Sequence, residues 1–218
     1  AARLEHYKSM GARFAKWRDV FHISDTLPSF QAIKSNAEVL ARYAAVCQSM
    51  GIVPIVEPEV LIDSNHTIER AAEVSEDVLL EVFKALHRHR VNLECMVLKP
   101  SMVTPGKETG KATPERVAEA TLSVFHRVVP AAVPGIFFLS GGQTPEESTE
   151  NLNALNSLGY HPWELSFSYG RALQEPAQKA WAGRLENAGA SQAAMKKRAR
   201  LNGLARSGDY TPMMENEG

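Results

Sequence analysis

Lys99 is the residue of this sequence that is best placed for covalent chemistry. It follows the apolar run Cys95–Leu98 and precedes a proline. A lysine at such a strand end either extends its ammonium group to solvent or serves a polar pocket. Lys16 ends an earlier strand-like segment, and a second cation together with partial burial favours the neutral amine. Because a neutral lysine amine is the nucleophile of Schiff-base chemistry, the two lysines predict covalent attack on a carbonyl substrate.

Two glutamates complete the predicted catalytic group. Glu57 follows the apolar run Ile52–Val56, and Glu59 comes directly after Pro58. Schiff-base formation needs a group that donates and accepts protons while water leaves, and a carboxylate close to two lysines can do this. The same residues can also form a buried ion pair with no catalytic part, so the pattern alone leaves both interpretations open.

Glycine-rich strand ends suggest where a phosphate would bind. Backbone N–H groups at the start of a helix favour anions, and glycine lets the ligand approach the backbone. An arginine adds a bidentate phosphate partner. Taken alone, each of these strand ends is also compatible with an ordinary turn. The candidate phosphate-binding residues all follow predicted strands: Ser140, Gly141, Gly142, Ser168, Gly170 and Arg171.

Strand-like and helix-like segments alternate along the chain, which predicts an α/β fold with a parallel sheet. Short β-branched or aromatic runs bounded by turn residues predict the strands, and helical spacing with Thr-Pro-Glu starts predicts the helices. The predicted strands are Phe14–Val20, Ile52–Val56, Leu93–Leu98, Ile136–Leu139 and Trp163–Tyr169. The predicted helices cover 35–50, 75–90, 114–128, 145–158 and, after Gly170, a helical stretch to 206.

Two architectures fit this alternation: an open doubly wound sheet, or part of a (β/α)₈ TIM barrel. Polar and charged residues at the carboxyl ends of parallel strands favour the barrel, whose active sites lie there. Phosphate in such barrels binds after strands seven and eight, which makes the first visible strand number four. We expect residues 1–208 to form one partial barrel domain and residues 209–218 to form a flexible tail.

Charge and residue spacing argue against several kinds of ligand and partner. The 218 residues carry a net charge of −1, which gives no reason to expect a nucleic acid or an anionic membrane as partner. The histidines lack metal-site spacing, so no metal is expected. Cys47 and Cys95 show no CxxC spacing; we interpret both as core thiols in a reducing cytosol.

Five segments resemble the class I fructose-bisphosphate aldolases. They follow the order and spacing of that family, and the resemblance extends over residues 5–212. The segments are FAKWR, GIVPIVEPE, LKPSMVTPG, FLSGGQ and LSFSYGRALQ.

The resemblance implies a role for each candidate residue. Lys99 corresponds to the Schiff-base lysine and Glu57 to the proton acceptor and donor, with Glu59 beside it tuning the site. Lys16 corresponds to the residue that contacts substrate and stabilises charge, and Arg18 lies on the 6-phosphate side. The six strand-end residues named above would hold the 1-phosphate.

The sequence also departs from the family pattern. Ser101 stands where the family commonly has Asn, and the segment Asp209–Gly218 does not match the family's tail, which often ends in tyrosine. The predicted strand ends are 30 to 42 residues apart, so eight such units need roughly 300 residues or more. With a start at Ala1 rather than Met, we expect the first three β/α units and their site residues to be missing from this chain.

The resemblance implies a cytoplasmic enzyme of glycolysis and gluconeogenesis, usually a homotetramer. It would cleave fructose 1,6-bisphosphate through a covalent Schiff base on Lys99, without metal or other cofactor. One alternative is an inert fragment that acts only as a structural or interaction module. Another is a different Schiff-base aldolase or a transaldolase, against which the paired phosphate sites argue. The sequence does not separate fructose bisphosphate from sedoheptulose bisphosphate.

Overall fold

A computed structural model describes residues 1–216 and contains one five-stranded sheet. The strands are β1 (Phe14–Phe21), β2 (Val53–Val60), β3 (Val97–Leu98), β4 (Gly135–Phe138) and β5 (Glu164–Phe167). The helices are α1 (Ala2–Ser9), α2 (Phe30–Ser49), α3 (Ile68–Arg88), α4 (Pro114–Val128), α5 (Pro145–Ser157), α6 (Arg171–Trp181) and α7 (Ala188–Ser207). Short 3₁₀ helices cover Leu93–Cys95, Leu185–Asn187 and Pro212–Asn216. Among the described residues no helix is long and apolar enough to cross a membrane.

The strand order decides between the two predicted architectures. All neighbouring strands are parallel, and the order across the sheet is β1-β2-β3-β4-β5. A doubly wound sheet reverses its strand order at a switch point, whereas a barrel adds each strand beside the previous one. Helix α2 packs on α3, α3 on α4 and α4 on α5. This is the arrangement of consecutive barrel units, so the predicted partial barrel is confirmed.

Local helix-start signals are reliable in part of the chain. Thr113 caps α4 by accepting a hydrogen bond from the Arg116 amide, and Pro114 occupies the first helical position as predicted. Helix α3 starts earlier than predicted, because Thr67 rather than Ser75 is its cap. Ser75 instead lies within the helix, on the buried face that its apolar residues form.

Strands β2 and β3 and the C-terminal helical stretch also differ from their predicted extents. Strand β2 continues through both glutamates to Val60, because it pairs with all eight residues of β1. Strand β3 is shorter than predicted, since the Asn92 side chain accepts from the Glu94 amide and starts a 3₁₀ turn. The long C-terminal helical stretch is broken at Ala182, whose left-handed conformation ends α6.

The C-terminal segment is ordered where the structure describes it. Tyr210 is buried, and Pro212–Asn216 forms a 3₁₀ helix. Glu215 binds the buried Arg198 side chain of α7. The prediction of a flexible tail is therefore wrong for residues 209–216, because a buried guanidinium needs a carboxylate partner. The last two residues of that predicted tail lie outside the described part of the chain.

The two thiols have different environments. Cys47 is buried on α2, as predicted for a core cysteine. Cys95 is exposed, so the prediction of a core position is wrong for it. Cys95 belongs to the 3₁₀ turn that replaces the first part of the predicted strand, and it therefore does not have the position of a buried strand residue.

Candidate functional site

Three predicted catalytic residues meet at the carboxyl end of the sheet. Lys99 Nζ lies 3.1 Å from Glu57 Oε1, and Lys16 Nζ lies 3.0 Å from Glu57 Oε2. The Glu57 side chain is 4% exposed, the Lys99 side chain 12% and the Lys16 side chain 42%. One buried carboxylate thus contacts two lysines, of which Lys99 is the more enclosed.

Strand register creates this cluster. Strand β2 lies between β1 and β3. The Lys99 amide donates to the Val56 carbonyl at 2.8 Å, which places Lys99 level with Glu57 of β2. On the other side, Arg18 pairs with Glu57 in register, two residues beyond Lys16. Alternate residues of a strand share a face, so Lys16 and Arg18 lie on one face of β1.

A second ion pair lies further along the same two strands. Arg18 Nε binds Glu59 Oε2, and the Glu59 side chain is largely buried. This hydrogen bond is the main cause that raises the pKa of Arg18 above its ordinary value. Because Glu57 binds lysines and Glu59 binds arginine, the two predicted glutamates have separate partners.

Ser101 has a structural position directly after the lysine strand. Its hydroxyl donates to the Val60 carbonyl at 2.9 Å and accepts from the Val60 amide at 3.0 Å. The side chain therefore satisfies both backbone groups at the end of β2. These two bonds hold the chain after Lys99 against the chain after Glu57.

The predicted glycine turn lies at the end of β4. Gly141 and Gly142 have φ of 57° and 86°, a left-handed conformation that glycine adopts readily. The Gln143 amide donates to the Ser140 carbonyl at 3.0 Å and closes the turn. The Leu139 amide donates to the Pro100 carbonyl at 3.2 Å, which attaches the turn to the chain after Lys99.

The end of β5 presents the remaining predicted residues. The Ser168 amide donates to the Phe138 carbonyl at 3.0 Å, so Ser168 lies beside the end of β4. Gly170 precedes α6, and Arg171 is the exposed first residue of that helix. The phosphate candidates therefore occupy the same edge of the sheet as the lysine cluster, on the next two strands.

Sequence reasoning missed two charged residues near this turn. Lys107 Nζ lies 2.7 Å from Asp63 Oδ1, and the Lys107 side chain also lies against Gly142. Lys107 belongs to the loop that follows β3, and Asp63 belongs to the loop that follows β2. Lys107 lies in a loop rich in Gly, Thr and Lys. That composition is the sequence feature that could have indicated an anion-binding residue here.

Among residues 1–216, no group of three or more His, Cys, Asp or Glu side chains is arranged to hold a metal ion. The charged groups at the sheet edge are instead paired as lysine with glutamate and arginine with glutamate. Such pairs can exchange protons with a bound carbonyl compound and can bind anions.

The fold and the site together define a (β/α)-barrel segment with a lysine–carboxylate cluster at the carboxyl ends of its strands. A family model for class-I fructose-bisphosphate aldolase matches residues 1–218. The chain therefore belongs to the class I fructose-bisphosphate aldolase family, as its five segments predicted.

Similar proteins agree with this assignment. A fructose-bisphosphate aldolase of Drosophila melanogaster is 54% identical over 211 residues, which cover 96% of this chain and 58% of the relative. The cytosolic fructose-bisphosphate aldolase 5 of Arabidopsis thaliana is 54% identical over 96% of this chain and 59% of its own length. The chain thus spans less than two thirds of the length of these relatives.

A solved structure supports the fold. Fructose-bisphosphate aldolase from Plasmodium falciparum, crystallised with TRAP and a small-molecule inhibitor, matches with a TM-score of 0.94 and 48% identity. The match covers 96% of this chain and 61% of that one. The five consecutive strands and their helices therefore have the arrangement found in a solved aldolase.

Proposed function

We propose that this chain carries the Schiff-base chemistry of a fructose-bisphosphate aldolase. The reaction is the reversible cleavage of fructose 1,6-bisphosphate to dihydroxyacetone phosphate and glyceraldehyde 3-phosphate. The observation that carries the proposal is the contact of buried Glu57 with both Lys99 and Lys16. It places a candidate nucleophile and a second cation each at ion-pair distance from one candidate proton carrier.

The proposed reaction begins with addition of the neutral Lys99 amine to the substrate ketone. Glu57 donates a proton to the hydroxyl group of the carbinolamine. This group then leaves as water, which yields an iminium ion. A base removes the proton of the C4 hydroxyl, and the C3–C4 bond breaks as its electrons move to the iminium nitrogen. Glyceraldehyde 3-phosphate leaves, the resulting enamine is protonated, and hydrolysis releases dihydroxyacetone phosphate and Lys99.

The remaining residues have proposed roles in binding and charge balance. Lys16 contacts substrate and stabilises charge during these steps, while Glu59 holds Arg18 on the 6-phosphate side. The turns at β4 and β5 hold the 1-phosphate through backbone N–H groups and arginine. These six residues are Ser140, Gly141, Gly142, Ser168, Gly170 and Arg171.

The family relation supports further proposals about the whole protein. We propose a cytoplasmic homo-oligomer, a tetramer as in the family, that takes a sugar bisphosphate and needs no metal. The names of a cytosolic Arabidopsis relative and a cytoplasmic spinach relative support the compartment. A substrate assay that compares the cleavage rates of fructose bisphosphate and sedoheptulose bisphosphate determines which of the two is preferred.

Borohydride trapping tests the proposal. Dihydroxyacetone phosphate and sodium borohydride are added to the 218-residue chain, and the reduced adduct is located by peptide mass spectrometry. We expect one adduct, on Lys99, and none in Lys99→Met. Lys179→Met, an exposed lysine paired with Glu175 on α6, is the control and should retain the adduct. An adduct on any other lysine, or no adduct at all, contradicts the proposal.

The second candidate function is that of an inert structural or interaction module, which binds a partner and catalyses no reaction itself. The favouring observation is that, among the described residues, β1 and β5 each have one neighbour in the sheet, and unpaired edges invite pairing. A turnover assay of the purified chain separates the two candidates. Cleavage of fructose 1,6-bisphosphate at a rate similar to that of a full-length relative rules out the inert module.

A further inference from the structure

We propose that Lys107 is an additional phosphate-binding residue of this site, and that Asp63 holds its ammonium group while no substrate is bound. The ligand class is the phosphate monoester of a ketose, of which dihydroxyacetone phosphate is the smallest example. The inference rests on the proposed function, since it assigns a new residue to the phosphate end of the same site.

The position of Lys107 against the glycine turn is the first observation. A Cβ atom built on Gly142 would lie 3.1 Å from Lys107 Cε and 3.2 Å from Lys107 Nζ. The ammonium group therefore lies directly against the backbone of the turn that is proposed to hold phosphate. Any side chain at position 142 would occupy this space, so glycine is needed here for access as well as for its positive φ.

The backbone of Lys107 is firmly held. Its amide donates to the Ile62 carbonyl at 2.9 Å, and the Gly106 amide donates to the His66 carbonyl at 2.9 Å. A side chain at position 106 would collide with the Ser64 carbonyl. The loop after β3 is thus packed directly on the loop after β2, which fixes where the lysine side chain starts.

The Lys107 side chain, in contrast, can change partners. Its ion pair with Asp63 is exposed, with side-chain exposures of 50% for Lys107 and 60% for Asp63. Exposed pairs of this kind contribute little to stability, because water screens the two charges. A phosphate dianion carries more charge than one carboxylate and accepts charge-assisted hydrogen bonds, so it competes well with Asp63 for the ammonium group.

The charges around Asp63 connect it with the other phosphate candidates. The hydrogen bond from Lys107 is the main cause that lowers the pKa of Asp63, and the charges of His22 and Arg171 act in the same direction. The same carboxylate therefore feels both Lys107 and the arginine at the end of β5. Asp63 is thus the ion-pair partner of Lys107 and lies within the electrostatic influence of Arg171.

Lys111 provides a matched control on the same cavity. This cavity, of about 470 Å³, is lined by both lysines and by Gly142. Lys111 binds Glu147 near the start of α5, and none of its atoms is among the three that would lie nearest to a Cβ on Gly142. A general effect of positive charge on the ligand would therefore involve both lysines, whereas the proposed contact involves Lys107 alone.

The experiment measures how the yield of borohydride-trapped adduct depends on the concentration of dihydroxyacetone phosphate. In Lys107→Met we expect the half-saturating concentration to rise about tenfold, with the adduct still on Lys99. Lys111→Met should match the unmodified chain, and Asp63→Asn should lower the half-saturating concentration because it releases Lys107. With dihydroxyacetone, which lacks the phosphate, the unmodified chain and Lys107→Met should be trapped alike.

The outcomes separate this inference from the proposed function. If the unmodified chain gives no adduct on Lys99, the proposed function fails. If it is trapped normally and Lys107→Met has the same half-saturating concentration, the assignment of Lys107 fails. Equal losses in Lys107→Met and Lys111→Met also overturn it, since they show a general effect of charge. Circular dichroism of each variant verifies that the fold is retained, and Lys107→Gln replaces any variant that loses it.

Discussion

Glu57 links the two lysines of the site, and its proposed work depends on proton transfer. In Glu57→Gln the amide keeps the shape of the side chain but does not accept a proton from the reacting groups. Because a positioned acid or base contributes about 10²–10⁴-fold, we expect adduct formation on Lys99 to slow at least about 100-fold. Quenching with borohydride at set times gives this rate.

Glu186 supplies the control for that measurement. It is an exposed carboxylate on the short 3₁₀ helix before α7 and is not one of the proposed site residues. Glu186→Gln should form the adduct at the unmodified rate. An unchanged rate in Glu57→Gln would mean that the buried carboxylate serves only as an ion-pair partner, which is the alternative that the sequence left open.

His66 provides a prediction on pH. The side chain is buried in the loop after β2, with Nδ1 2.6 Å from the Ser64 hydroxyl. Burial is the main cause that lowers its pKa, and the charges of His22 and Arg70 act in the same direction. The unfolded chain, with a histidine pKa of about 6.5, therefore binds a proton that the folded chain binds less readily.

Stability should consequently fall as the pH falls below about 6.5. The unfolding free energy keeps falling until the pH reaches the lower pKa that His66 has in the folded chain. Well above a pH of about 6.5 this contribution to the pH dependence is absent. Urea unfolding between pH 5 and pH 8 measures the effect, and His66→Gln should have a smaller slope of unfolding free energy against pH. His6→Gln, at an exposed site on α1, should keep the original slope; equal slopes in all three proteins contradict the prediction.

At the scale of elements, the start of α5 joins helix stability to the proposed phosphate turn. Thr144 accepts from the Glu147 amide at 3.1 Å, and Glu147 accepts from the Thr144 amide at 2.9 Å. This reciprocal capping box follows directly after the turn Ser140–Gln143. The Thr-Pro-Glu-Glu segment predicted the helix start because every contact involved lies within four residues.

Removal of this cap should have a moderate cost. We expect Thr144→Ala to lower the unfolding free energy by about 1 kcal/mol, measured by urea unfolding. Thr26→Ala, at an exposed threonine outside the helices, should change it by less than about 0.5 kcal/mol. A Thr144→Ala change as small as that of Thr26→Ala would show that the cap does not stabilise α5.

At the scale of the whole molecule, Glu215 fastens the C-terminal segment to two helices. It binds Arg198 of α7, whose side chain is 3% exposed, and accepts from the Tyr210 hydroxyl at 2.9 Å. Arg198 in turn donates to Thr149 of α5 at 3.0 Å. Loss of the carboxylate leaves a guanidinium group buried without its counter-ion, and such a loss is costly.

We expect Glu215→Gln to lower the unfolding free energy by about 3 kcal/mol. The matched control is Glu164→Gln, which removes the exposed pair of β5 with Arg206 of α7 and should cost less than about 1 kcal/mol. Urea midpoints at unchanged slope measure both effects. Similar small costs in the two variants would mean that residues 209–216 do not stabilise the fold.

Local patterns determined a large part of this protein. The alternation of strands and helices and the helix caps at Thr113 and Thr144 depend on neighbours in the chain, and these predictions agree with the structure. The family itself followed from five segments in order, because these segments contain the residues placed at the carboxyl ends of the strands.

Only the tertiary structure decided which of these residues meet. Strand order brings Glu57 between Lys16 and Lys99, packing of two loops places Lys107 against Gly142, and Glu215 orders a segment that was predicted to be flexible. Each of these contacts joins residues far apart in the chain. Residue type and local spacing give no measure of such distances, because they depend on how whole strands and helices pack.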